Sequence, residues 1–193
     1  MGEKSEQKKQ FIIETARRIF MEKGYKDVTM KDIVEACDIS RGGLYLYFNS
    51  TDELFRAVMN AEEAETDDVF SSELKEDATA VDVLMIFLKE QKKEIMRRKD
   101  DLSVATYEYY FARQTMEEDN PLKGRFEEAV KALTQLIEVG IANGEFYDVD
   151  AAAAANNIMF VLEGLRICAH TMGVTESAVD DELLTLVSGL VAE

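Results

Sequence analysis

Apolar residues recur along this chain at steps of three and four, the period of a helix with one buried face. From Ser5 to Glu22 the stripe is Phe11, Ile12, Ala16, Ile19 and Phe20, and Gly24 stops it as a C-terminal cap. Thr29 then offers an N-cap with an acid, Asp32, three residues on. The second helix follows to about Cys37, with Met30, Ile33, Val34 and Cys37 on its apolar face. After the turn-prone Asp38-Ile39-Ser40, a third helix is expected from Arg41 to about Phe48, broken by Asn49-Ser50. Ser50-Thr51-Asp52-Glu53 reads as a second capping box, opening a helix to about Leu74. Helical periods continue over Ala80–Arg98, Leu102–Met116, Pro121–Asn143, Asp150–Thr171 and Glu176–Ala192. Pro121 suits a helix start, where its missing N–H costs nothing. Gly144 and Gly173 end two of these segments. The pattern predicts an all-α chain of about nine helices and no strands. One proline and ten glycines fit long helices joined by short turns better than a barrel or sandwich.

Within that series, a helix, a three-residue turn and a short helix form a helix-turn-helix arrangement, whose second helix enters a DNA major groove N-terminus first. Gly42 and Gly43 open that second helix although each weakens it by up to about 1 kcal/mol relative to alanine. Their lack of side chains lets a duplex approach closely. Ser40 precedes them at the helix start, Arg41 is the strong base reader, and Tyr45 and Tyr47 offer hydroxyls to phosphate. The competing reading makes the tyrosines core aromatics and the glycines a loop.

Phe20, Gly24-Tyr25, Thr29-Met30-Lys31-Asp32-Ile33, Gly43-Leu44-Tyr45-Leu46-Tyr47-Phe48 and Ser50-Thr51-Asp52-Glu53-Leu54 resemble, in order and spacing, the N-terminal signature of TetR-type transcriptional regulators. The resemblance covers residues 8–56. It implies a three-helix DNA-binding domain over 1–50 and a larger helical ligand-binding and dimerisation domain over 51–193. By the same resemblance Thr29 contacts phosphate, with Lys31 beside it. Arg41, Gly42, Gly43 and Leu46 face the groove, Tyr45 and Tyr47 touch phosphate or sugar, and Leu44 and Phe48 hold the helix to the core. Many relatives carry lysine where this chain has Thr51; a hydroxyl there still bonds phosphate, with a shallower salt dependence. Repression is the usual outcome in the family, by a dimer blocking a promoter.

Charge sharpens this division. The chain of 193 residues carries a net charge of −17, yet residues 1–60 hold ten Lys/Arg and ten Asp/Glu and are neutral. The neutral third and the acidic remainder meet different partners. Lys4, Lys8, Lys9, Lys26, Lys31 and Arg41 are available for a local basic face. Cys37 and Cys168 lie far apart in apolar contexts and read as buried thiols of a reduced compartment. The charged first ten residues do not read as a signal peptide, and no window is expected to approach a membrane span, so a cytoplasmic protein without membrane partners is expected.

The segment after Ala151 and the final helix carry more apolar surface than one short domain readily hides. A two-fold pairing of both helices with a second copy would bury it, with Ile158, Leu162, Leu165, Leu183, Val187 and Leu190 as candidate interface residues. The alternative is that both helices are internal core. A homodimer also suits two recognition helices on a palindromic operator. Aromatic and methionine residues in the middle of the chain suggest an adaptable pocket for an apolar or amphipathic small-molecule effector. Phe87, Tyr107, Tyr110, Phe111, Phe126 and Met159 are its candidate walls, although each also suits plain packing. Glu108 is either a pocket acid or a solvated residue. By resemblance, an effector there would spread the two reading heads and release DNA.

Catalysis finds little support. His170 is the single histidine, and there is no Glu-x-x-His pair, P-loop or GxGxxG. No metal, cofactor or enzymatic role is expected. The main alternative to a DNA-binding regulator is a helical ligand-binding or adaptor protein without DNA recognition.

Overall fold

The computed structural model describes residues 3–73, 78–97, 101–113 and 121–192. Among these, nine helices occur: α1 (Glu3–Lys23), α2 (Met30–Cys37), α3 (Arg41–Tyr45), α4 (Thr51–Glu73), α5 (Ala80–Met96), α6 (Ser103–Arg113), α7 (Pro121–Ala142), α8 (Ala151–Thr171) and α9 (Glu176–Ser188). The one extended pairing among the described residues is an isolated antiparallel bridge, Phe146 to Val191.

Helix ends follow local chemistry. Gly24, Gly144 and Gly173 all have φ near +76° or +75°, the left-handed conformation that glycine adopts without a Cβ penalty. Thr29 caps α2 as a full capping box: its Oγ1 accepts the Asp32 N–H at 3.3 Å, while the Asp32 carboxylate accepts the Thr29 N–H at 2.9 Å. Ser50 caps α4 by accepting the Glu53 N–H at 3.1 Å. Glu53 reaches one residue further back than a capping box requires, accepting from the Asn49 N–H at 2.8 Å. The third helix stops earlier than its sequence suggests. After Tyr45 the chain tightens, with both the Tyr47 and Phe48 N–H groups donating to the Leu44 carbonyl.

The chain divides into two compact units: Met1–Val69 with Lys99–Thr115, here called the head, and Phe70–Arg98 with Met116–Glu193, the body. A cut at residue 50 separates neither unit, because α4 continues in the head to Val69 and α6 joins it from downstream.

The head core gathers Ile12, Ala16 and Phe20 of α1, Ile33 and Cys37 of α2, Leu44 and Phe48 around α3, and Leu54, Phe55 and Val58 of α4. Leu102, Ala105 and Tyr109 of α6 complete it. Phe20, Tyr25, Phe55 and Tyr109 form a packed aromatic set, with the Tyr25 and Tyr109 rings edge to face at 4.9 Å. Arg17 clasps Glu62 through two hydrogen bonds of 2.5 and 2.8 Å, tying α1 to α4.

The body core is built from α5, α7, α8 and α9 around Leu84, Leu88, Leu133, Ile137, Ile158, Leu162 and Val179. Lys92 on α5 bridges Glu176 and Asp180 on α9 at 2.9 and 2.6 Å. Gly140 gives way to the Phe146 ring; a Cβ there would stand 2.2 Å from it. By length and composition α8 does reach what a membrane crossing needs, contrary to the reading of the sequence; the mean hydropathy of its most apolar 18 residues is 1.2. Its alanine run raises that value, and Ala155, Ile158, Met159, Leu162 and Ala169 are buried within the body. Cys37 and Cys168 are free thiols; Cys37 is buried, and desolvation pushes its pKa up, whereas Cys168 is half-buried.

Candidate nucleic-acid interface

The α2–α3 turn sets the geometry of the candidate interface. Asp38 takes a left-handed conformation at φ 51°, and the Ile39 N–H returns to the Val34 carbonyl at 3.3 Å. This reverses the chain within three residues and starts α3 at Arg41. Ser40 caps it, its Oγ accepting the Gly43 N–H at 3.1 Å. Leu44 and Phe48, 0% and 2% exposed, anchor α3 on its inner side. The opposite side is open: Leu46 is 81% exposed, and Arg41, Gly42 and Tyr45 are exposed with it.

Two details bear on the glycines. A Cβ at Gly42 would meet nothing within 4 Å, so the head has no internal reason to omit it. A Cβ at Gly43 would press on the Ser40 Oγ at 3.1 Å, so that glycine also protects the cap. The Arg41 guanidinium lies 5.5 Å from the centre of the Tyr45 ring, a cation–π stack that holds both side chains at the helix tip. Tyr47 is half-buried and accepts a 3.4 Å hydrogen bond from the Ser5 hydroxyl of α1.

The remaining sequence candidates surround this tip. Thr29 is exposed at the start of α2, and its hydroxyl is also shared with the Asp32 carboxylate. Lys31 is exposed and leans toward Glu35 at 3.6 Å. Thr51, half-buried, opens α4 after the Ser50 cap. Lys23 and Thr29 hydrogen-bond the Asp32 carboxylate and hold its pKa well below the usual carboxylate range.

The head depends on two residues of α6, Glu108 and Tyr109, whose place in it the sequence does not show. Tyr109, 1% exposed, fills the aromatic set, and its hydroxyl accepts from the Arg56 Nε at 2.8 Å. Glu108 caps the α1–α2 turn, its carboxylate accepting the Lys26 N–H at 3.1 Å. A Cβ on Gly24 would come within 2.5 Å of that carboxylate. The stripe Leu102, Ala105, Tyr109 carried the signal for a buried face; nothing in it named the partner.

The six candidate pocket residues fall into two groups. Tyr107, Tyr110 and Phe111 belong to the head, where Phe111 is 72% exposed and stacks with Tyr107 at 6.3 Å. Phe87, Phe126 and Met159 belong to the body, where Met159 is buried in the core and Phe126 lies 5.1 Å from Phe160. The candidate pairing residues also separate. Ile158, Leu162, Leu183 and Leu190 are buried within a single protomer, while Leu165 and Val187 are half-buried. Apolar surface on α8 and α9 comes instead from Phe160, Ile167 and Leu184. Near them a cavity of about 300 Å³ lies between α8 and α9, lined by Val149, Ile158, Val161 and Leu186 among others. Among the described residues no group of three His, Cys, Asp or Glu side chains could hold a metal ion.

Residues 12–58 match the model of bacterial regulatory proteins of the tetR family. Residues 83–180 match the tetracyclin repressor-like C-terminal domain. The uncharacterized HTH-type transcriptional regulator YfiR of Bacillus subtilis (strain 168) is 31% identical over 153 residues, which span 74% of this chain and 69% of YfiR. A TetR transcription regulator from Haloarcula marismortui ATCC 43049 superposes with a TM-score of 0.83 at 21% identity, over 97% of this chain and 100% of that one. AibR, solved in complex with isovaleryl coenzyme A and operator DNA, has a TM-score of 0.68 at 20% identity, over 94% and 97% of the two chains.

Proposed function

The chain belongs to the tetR family of bacterial regulatory proteins, DNA-binding transcriptional regulators, and from that membership we propose that it represses its target promoter as a homodimer on a palindromic operator. Release from that operator follows binding of a small apolar or amphipathic effector. The observation that carries the DNA-binding reading is the exposed tip of α3. Arg41, Gly42, Tyr45 and Leu46 are turned outward, while Leu44 and Phe48 fix the helix from within. Such a helix tip fits a major groove; Arg41 would read a guanine edge and the hydroxyls of Tyr45 and Thr51 would bond phosphates, while Thr29 would do so by turning its hydroxyl hydrogen from the Asp32 carboxylate to the duplex.

Pairing through α8 and α9 is supported by their exposed apolar residues and by Gly164, where a Cβ would meet nothing within its own chain. The effector reading is supported by the ligand bound to AibR, a neighbour in fold, and by the aromatic and methionine content of α5, α7 and α8. A cytoplasmic location accords with this role.

A gel shift against DNA flanking the chain's own gene tests the proposal, with Arg41→Ala as the companion variant. The wild-type chain should retard the specific fragment. The variant should lose about 1–3 kcal/mol of discrimination between that fragment and random DNA. Failure of the wild-type chain to bind any duplex would leave the helical adaptor reading in its place.

A further inference from the structure

We propose that the first two turns of α1 form a second DNA-binding element, a lysine rail that grips the phosphates bordering the groove entered by α3. This inference rests on the DNA-binding reading above and adds a contact surface that lies before residue 12, outside the stretch matched by the family model.

Position comes first. The Ser5 hydroxyl donates to the Tyr47 hydroxyl at 3.4 Å, and a Cβ at Gly43 would stand 3.9 Å from the Lys8 Nζ. The beginning of α1 therefore runs beside α3. It approaches the recognition helix at Gly43 and at Tyr47, just past the end of α3.

Charge distribution comes second. At about 100° per residue, Lys4, Lys8, Ile12, Ser5 and Lys9 fall within an arc of about 140°. Ile12, 0% exposed, marks the direction of the head core within that arc. Glu3, Glu6, Gln7 and Gln10 occupy the opposite side, in an arc of about 100°. The acids at the start of α1 thus turn away from α3, while all three lysines flank it.

Availability comes third. Arg17 is held by Glu62, Lys23 by Asp32 and Arg56 by Asp52, and Lys31 leans toward Glu35. Among the described residues, no ion pair engages Lys4, Lys8 or Lys9. A phosphate strand would neutralise all three and release their counterions. The rail also supplies, from another helix, the cationic contact that Thr51 does not provide.

The test is the salt dependence of binding, read by fluorescence anisotropy with two probes: a random-sequence duplex and a duplex from the region upstream of the chain's own gene. Each lost phosphate contact should reduce the slope of log K against log salt by about 0.9, so Lys8→Gln in a dimer should reduce it by about 1.8. Affinity for both duplexes should fall by the same factor, leaving their ratio unchanged, because phosphate contacts carry no sequence. The triple substitution of Lys4, Lys8 and Lys9 by glutamine should reduce the slope further. Lys131→Gln, the same charge change on α7, should leave it unaltered. If the wild-type chain binds and the slopes of wild type, Lys8→Gln and the triple variant coincide, the rail is overturned while the regulator reading stands. If the wild-type chain binds neither duplex, both fall together.

Discussion

Two glycines set the head and the body apart. At Gly140 in the body the missing side chain is explained from inside, because the Phe146 ring occupies the place a Cβ would take. At Gly42 in the head nothing occupies that place. An alanine there would strengthen a helix of only five residues. The body is satisfied by its own packing at this point; the packing of the head gives no reason for its omission, which agrees with the duplex contact proposed above. A side chain missing for no internal reason is as informative as an exposed charge.

The strongest way to break this contrast is to remove what makes α6 part of the head. Tyr109→Ala should lower stability to urea by about 3–5 kcal/mol, the usual range for deleting a buried aromatic. A loss well under 1 kcal/mol would mean that α6 does not complete that core. Next, Gly140→Ala should destabilise the body by about 1–3 kcal/mol through overpacking against Phe146, seen as a lower urea midpoint. An unchanged midpoint would remove the internal explanation for that glycine. Gly42→Ala should do the reverse, raising head stability by up to about 1 kcal/mol while weakening duplex binding. If affinity holds, the open space at Gly42 is not a DNA face.

The smallest effect concerns pH. The Asp32 carboxyl has an ordinary pKa of 3.8 and is held lower in the folded head, chiefly by its hydrogen bond from Lys23 and then by Thr29. A lowered folded-state pKa contributes stability that is fully present above the unfolded value and is lost as pH falls toward the folded one. The stability gap between wild type and Asp32→Asn should therefore be constant at neutral pH and narrow below about pH 4. A gap that does not respond to acid would show that the Lys23–Asp32–Thr29 cluster contributes nothing to the cap.

Much of the fold was legible because helix ends are decided by neighbours in sequence. Thr29 with Asp32, Ser50 as an N-cap, and the three positive-φ glycines are local chemistry, and each stands where the sequence placed it. The outward side of α3 was legible through the family resemblance, which sets Leu44 and Phe48 against the core and Leu46 toward the groove; the first two are buried and Leu46 protrudes. What the sequence did not disclose was allegiance over distance. Tyr107 to Phe111 is a dense aromatic cluster, and density alone does not say whether a cluster lines a pocket or enters a core. Tyr109 enters the head through Arg56, a hydroxyl–guanidinium contact across 53 residues. On α8 and α9 the most apolar positions suggest pairing residues, yet Ile158 and Leu162 are used up inside the protomer. Apolarity marks burial, and the single sequence does not say whether one chain or two do the burying.

The head is thus built from two separate stretches of chain, with Glu108 and Tyr109 arriving from the second. Anyone grafting this reader onto a different sensor faces a splice problem. A transplant of residues 1–69 alone would leave an unfilled socket beside Phe20 and Phe55, whereas a chimera that also imports 99–115 would carry the plug with it.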